Sequence, residues 1–142
     1  MGRSPTAGLA LAAMLAALLG CSGLSREIAG FTGTEVQFGA AAIAPAGFPL
    51  LPPPGASPYA MVREDCGHIR TWHMVDNADP TVLIDGYAQQ MQAAGLTVER
   101  RDQGNRHQAI GTWAGERWSA EVVPSGGRHR LLLEVIPPHQ HL

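Results

Sequence analysis

Apolar residues fall into three patterns along this chain. From Ala7 to Leu19 they run on without a charge. From Leu83 onward they recur three or four positions apart, at Leu83, Ile84, Tyr87, Ala88, Met91 and Ala94. That spacing gives one buried stripe on a helix. Asp79 supplies an N-cap, Pro80 suits the first helical position, and Gly95 suits the left-handed residue past a helix end. The predicted helix therefore runs from Pro80 to Ala94. Elsewhere the pattern is one of strands. "GHIRTWHMV" (67–75) precedes the helix, and four further runs follow it: 96–102, 107–114, 117–123 and 128–136. Gly104-Asn105, Gly115-Glu116 and "SGG" (125–127) mark the turns, and Pro137-Pro138 ends the last strand.

The order β-α-β-β-β-β predicts an α+β domain: an antiparallel four- to five-stranded sheet with one helix packed across one face. This domain is expected over 58–138, with a short tail at 139–142. Ahead of it, residues 21–57 read as a Pro/Gly/Ala-rich tether. The stretch 38–58 holds six of the eleven prolines, and Pro52-Pro53-Pro54 favours an extended polyproline II spacer. Two features interrupt that tether. "GTEVQFGA" (33–40) can form a short strand. Phe48 to Leu51 is apolar enough to pack on the domain as an edge segment, or to serve as a docking motif for a partner.

The uninterrupted run at Ala7–Leu19 has a different meaning. Its 13 residues match the h-region of an export signal, which needs about 7–15, and fall short of the roughly 20 needed to span a bilayer. The run ends in Leu18-Leu19-Gly20-Cys21, which resembles the lipobox of bacterial lipoproteins. Leu19 stands where that family more often has Ser or Ala; Gly20 and Cys21 match its demanding positions. The resemblance covers residues 1–21 and concerns processing. It implies a signal peptide over 1–20, cleavage after Gly20, and a diacylglyceryl thioether on Cys21, which becomes the acylated N-terminus. Two or more acyl chains give stable attachment. Ser22, where Asp would favour inner-membrane retention, points to the outer membrane with the domain facing the periplasm, given a Gram-negative source.

Composition narrows the remaining chemistry. A net charge of -2 gives no support to a nucleic-acid partner or a polybasic membrane patch. All ten basic residues are Arg, so lysine-based covalent catalysis is excluded. Only two cysteines are present, Cys21 and Cys66. With Cys21 acylated, Cys66 is left over; it can pair with another chain or stay buried, and burial as a free thiol is the default expectation. Glu64 and Asp65 beside it disfavour a thiolate nucleophile.

"CGHIRTWHM" (66–74) gathers Cys66, His68, His73 and Met74, which are ligands suited to copper or zinc. On a strand, His68 and His73 point to opposite faces, so only Cys66 and His68 share one. Two ligands make a weak site, and no metal or cofactor is expected. His139 and His141 belong to a solvated tail. Trp113 and Trp118 straddle a hairpin turn. They are expected to pack across the strands, or, if exposed, to form a recognition surface for peptide, glycan or protein. Arg100, Arg101, Arg106, Arg128 and Arg130 fall on adjacent strands and could form a basic face, but Glu99, Asp102, Glu116 and Glu134 are available to neutralise them, so a solvated mixed-charge face is expected. No GxSxG, P-loop, GxGxxG, DxDxDG or HExxH pattern occurs. The expectation is a lipid-anchored, non-enzymatic envelope protein whose domain is an interaction or assembly module for another envelope protein. The alternative is a metal- or small-ligand-binding lipoprotein.

Overall fold

The computed structural model describes residues 35–138. They form an antiparallel sheet with one helix packed across it. The sheet has seven strands: β1 (Glu35–Phe38), β2 (Ser57–Arg63), β3 (Ile69–Val75), β4 (Thr97–Gln103), β5 (Arg106–Trp113), β6 (Glu116–Ser125) and β7 (Arg128–Ile136). Two strands join the expected five: β1, within the 33–40 stretch read as able to form a short strand, and β2, which opens at Ser57-Pro58 where the Pro-rich stretch ends. Pro58 is tolerated in β2 because the ladder with β3 is irregular there, shifting register between Pro58 and Ala60. The spatial order is β1-β2-β3-β7-β6-β5-β4. After β3 the chain crosses to the far edge through the helix, then meanders back until β7 pairs with β3.

Helix α1 spans Pro80–Ala93. The Asp79 side chain accepts from the backbone N–H of Thr81 (2.9 Å) and Val82 (3.3 Å), as the sequence predicts for an N-cap. At the other end Gly95 has φ +91°. Leu96 N–H donates to Met91 O at 3.0 Å and Gly95 N–H to Gln92 O at 2.9 Å. Those paired bonds are the Schellman motif. Its associated apolar contact packs Met91 and Leu96 directly over Gly111 of β5. A Cβ at Gly111 would lie 2.9 Å from Leu96 Cδ2 and 3.1 Å from Met91 Sδ. The helix therefore approaches the sheet at a point where only glycine fits.

Ile84, Tyr87 and Met91 bury the helix stripe against Ala109, Ala120, Val122, Leu131, Leu133 and Val135. The same core contains Phe48 and Leu50, which lie ahead of the expected boundary at residue 58. Leu50 is fully buried. The connection from β1 to β2, which includes one 3-10 turn at Gly39–Ala41, thus runs over the covered face beside the helix. Tyr87 Oη donates to Leu51 O at 2.6 Å and joins the two covering pieces. Burial raises the Tyr87 pKa well above the usual phenol range, so the donor proton stays in place.

Candidate functional site

The β2–β3 turn concentrates the buried polar chemistry. Gly67 (φ +86°) lets the chain reverse, with Gly67 N–H donating to Glu64 O and Glu64 N–H to His68 O, both at 2.9 Å. This tight turn folds Glu64 back onto His68. His68 is fully buried and Glu64 nearly so. His68 Nδ1 lies 3.0 Å from Glu64 Oε2, and Nε2 lies 2.6 Å from Glu134 Oε2 on β7. Arg70 Nη2 donates to Glu64 Oε1 at 3.1 Å, and its guanidinium stacks over the Trp72 ring at 5.5 Å. Both ring nitrogens can donate only if the imidazole is protonated; otherwise a carboxyl must carry the shared proton. In either form the proton sits between the turn and β7 and pins one to the other.

The sequence singled out His68 for a different reason. Its partners Glu64 and Glu134 were not seen as such. Glu134 is 66 residues away, and the contact depends on the β3–β7 register, which pairs Arg70 with Glu134. Glu64 alone left a trace, four residues before His68 across a Gly-containing turn.

Cys66 Sγ lies 3.7 Å from Glu64 Oε2. Cys66 is disulfide-bonded, not the buried free thiol expected from the sequence. The turn leaves Cys66 only partly buried. The disulfide removes it as a thiolate ligand, and both nitrogens of its face partner His68 are engaged by carboxylates. His73 lies on the opposite, covered face, buried, with Nε2 3.2 Å from Thr71 Oγ1. Burial lowers its pKa below the ordinary imidazole value. Met74 is half-buried on the open face. The four residues of "CGHIRTWHM" singled out for metal chemistry are therefore not brought to one point. Among the described residues, no group of three or more His, Cys, Asp or Glu is placed to hold a metal ion.

A cleft of about 260 Å³ opens beside this turn, lined by Glu35, Arg63, Glu64, Asp65 and Gly67. A second, of about 160 Å³, lies between Arg101, Gln103, Arg106 and Gln108 on the β4–β5 hairpin. On the covered side of that hairpin, His107 Nδ1 lies 2.7 Å from Asp102 Oδ1, and Arg100 bonds both Asp102 and Asp85. The hydrogen bonds from His107 and Arg100 hold the Asp102 carboxyl below its usual range.

The tryptophans do not sit directly opposite each other. The β5–β6 loop is Ala114-Gly115, both with positive φ (49° and 85°), as a type I′ hairpin requires. Trp113 then faces Glu116, and Trp118 faces Gly111. The two rings share a face as diagonal neighbours. Trp118 packs on the core and its Nε1–H donates to Glu116 Oε1 at 2.7 Å. Trp113 remains 65% exposed. The five arginines are also divided. Arg101, Arg106, Arg128 and Arg130 share the open face, whereas Arg100 points to the covered one.

Cys21, Gly20, His139 and His141 lie outside the described residues. Among the described residues, no helix is long and apolar enough to cross a membrane. Comparison with protein-family models, curated proteins and solved structures yields no match.

Proposed function

We propose that this protein is a lipid-anchored component of a bacterial cell envelope, whose folded domain faces the periplasm from the outer membrane and acts as a non-enzymatic interaction module. The observation that carries the reading is Leu18-Leu19-Gly20-Cys21 at the end of a 13-residue apolar run. Thirteen residues, 22–34, separate Cys21 from the first described strand at Glu35 in the sequence. The non-enzymatic role draws support from the buried polar cluster, in which both ring nitrogens of His68 are engaged by Glu64 and Glu134 and Arg70 Nη2 bonds Glu64. Groups engaged in this way hold a fold together.

Labelling with radioactive palmitate tests the anchor. The wild-type chain should take up label and sediment with membranes; Cys21→Ser should do neither. A Cys21→Ser chain that is still cleaved and still membrane-bound would end this reading.

One observation favours a second reading. Cys66 is disulfide-bonded, and the chain's other cysteine is Cys21. A sulfur in a thioether cannot also form a disulfide. Either Cys21 is acylated and Cys66 is joined to another molecule, or Cys21 and Cys66 close a loop and no acyl group is attached. Peptide mass mapping without reductant separates the two: the first gives an acylated Cys21 peptide, the second a Cys21–Cys66 linked pair.

A further inference from the structure

The helix and the β1–β2 connection both lie on one face of the sheet, and no described element crosses the other. That open face is polarised along the strands. Toward the β2–β3 turn it carries Glu64 and Glu134 balanced by Arg70 and Arg117, with His68 between the carboxylates. Toward the β4–β5 and β6–β7 turns it carries Arg101, Arg106, Arg128 and Arg130. Glu121 is the carboxylate that shares this end of the strands, 3.9 Å from Arg106, and Arg101 and Arg128 reach outward to Glu99 and Asp76. Arg130 is exposed, and no acidic partner for it occurs among the described residues.

Apolar side chains lie between these charges. Trp72 faces Leu132 across β3–β7, Met74 faces Arg130, and Val123 faces Arg130 from β6. Toward the β1 edge the same row ends in Phe38, which is 72% exposed. Arginines interleaved with half-buried Trp, Met and Leu and an exposed Phe form the pattern of a surface that lies on an anionic bilayer, with aromatic groups at headgroup level and guanidiniums on phosphates. The same positive charge opposes stacking of this face on a second copy.

We propose that the arginine-rich end of the open face docks on the anionic headgroup surface of the bilayer that carries the anchor, an inference that rests on the lipid-anchor reading above; the net charge of -2, which by itself gives no support to a basic membrane patch, averages over this local gathering of arginines. The geometry permits it. Residues 22–34 can span about 43 Å when extended, while the nine-residue strand β7 is about 30 Å long. The first described strand starts at the charge-balanced end of the sheet, because Glu35 pairs with Arg63 beside the β2–β3 turn. The domain can therefore lie flat with its basic end away from the attachment point. A tether also raises the effective concentration of the face at the membrane, so a weak surface suffices.

The test uses residues 21–142 without an acyl group, sedimented with vesicles of phosphatidylethanolamine and phosphatidylglycerol or of phosphatidylcholine alone. Binding should occur to the anionic vesicles only and fall with salt. Arg106→Glu with Arg130→Glu should lower it about tenfold or more, because each arginine near such a surface counts separately. Phe38→Ser should weaken it by a few-fold with unchanged thermal unfolding. Equal binding to both vesicle types, no binding to either, or indifference to the charge reversals would overturn the proposal. So would a salt-sensitive dimer in solution that Arg130→Glu dissolves. Because the protein is acyl-free, a negative result leaves the anchor standing, and loss of the anchor is read separately from palmitate labelling.

Discussion

Two different kinds of chain close the covered face of the sheet. Over β4, β5 and β6 lies a helix with a regular apolar stripe, a side-chain N-cap and a Schellman end. Over the other half lies an irregular connection containing Pro45, Pro49, Pro52, Pro53 and Pro54. The helix buries Ile84, Tyr87 and Met91; the connection buries Ala42, Phe48 and Leu50. Both exclude water from one continuous core, the first with a regular backbone ladder and the second with isolated turn bonds such as Phe48 N–H to Pro45 O and Ala56 N–H to Pro53 O. A proline-rich stretch can pack as firmly as a helix because its extended backbone loses less conformational freedom on ordering.

The sharpest way to break this comparison is to make equal cavities in the two halves. Leu50→Ala and Ile84→Ala each remove a side chain that is fully buried. Each should cost about 2–5 kcal/mol in denaturant unfolding. A tether would behave otherwise: if Leu50→Ala changes stability by less than about 1 kcal/mol while Ile84→Ala does not, the connection is not core.

Gly111→Ala probes the helical half from the sheet side. The added methyl would meet Leu96 and Met91 at 2.9–3.1 Å, and overpacking of this kind should cost about 1–3 kcal/mol. Leu96 and Met91 belong to the helix stop, so the strain falls on a motif with little room to shift. Neutral behaviour in thermal unfolding would mean that the helix rides higher over β5 than the structure has it. The seam between the halves is weaker. Tyr87→Phe removes the bond to Leu51 O and should cost about 1 kcal/mol. The same variant should leave helix content by circular dichroism unchanged.

The two halves also differ in how far the sequence reveals them. A helix repeats every 3.6 residues, so Leu83, Ile84, Tyr87 and Met91 announce a buried face, and Asp79 and Gly95 bracket it. The connection has no period. The apolar content of Phe48 to Leu51 suggests a segment packed on the domain or a docking motif, and only tertiary packing, which buries Phe48 and Leu50 in the core, decides between them. The polar cluster shows the same limit. Glu64 and His68 are near in sequence, but Glu134 reaches His68 only because β7 returns to pair with β3, a topological choice invisible in any local window. The division of the arginines was half legible. Alternation assigns Arg101 and Arg100 to opposite faces, but which face stays open depends on where the helix and the connection lie. The tryptophans turned on a one-residue difference in the turn: Ala114-Gly115 makes the loop, and the register follows from it.

The smallest expected effect lies under the connection, where the covered face is polar. His73 and Thr71 are buried there, opposite Leu131 and Leu133 of β7. Burial lowers the folded-state pKa of His73 below 6.5. On acidification the unfolded chain therefore takes up the proton first. Stability is unaffected by this group at neutral pH and above. It declines as pH falls below 6.5 and levels off once the lowered folded pKa has been passed. The slope from this one proton can be no steeper than about 1.4 kcal/mol per pH unit. Every other group is common to both chains, so subtracting the curve of His73→Gln from that of the wild type isolates His73. Parallel curves would mean that water already reaches the ring, and that the connection covers this half of the sheet less tightly than the helix covers the other.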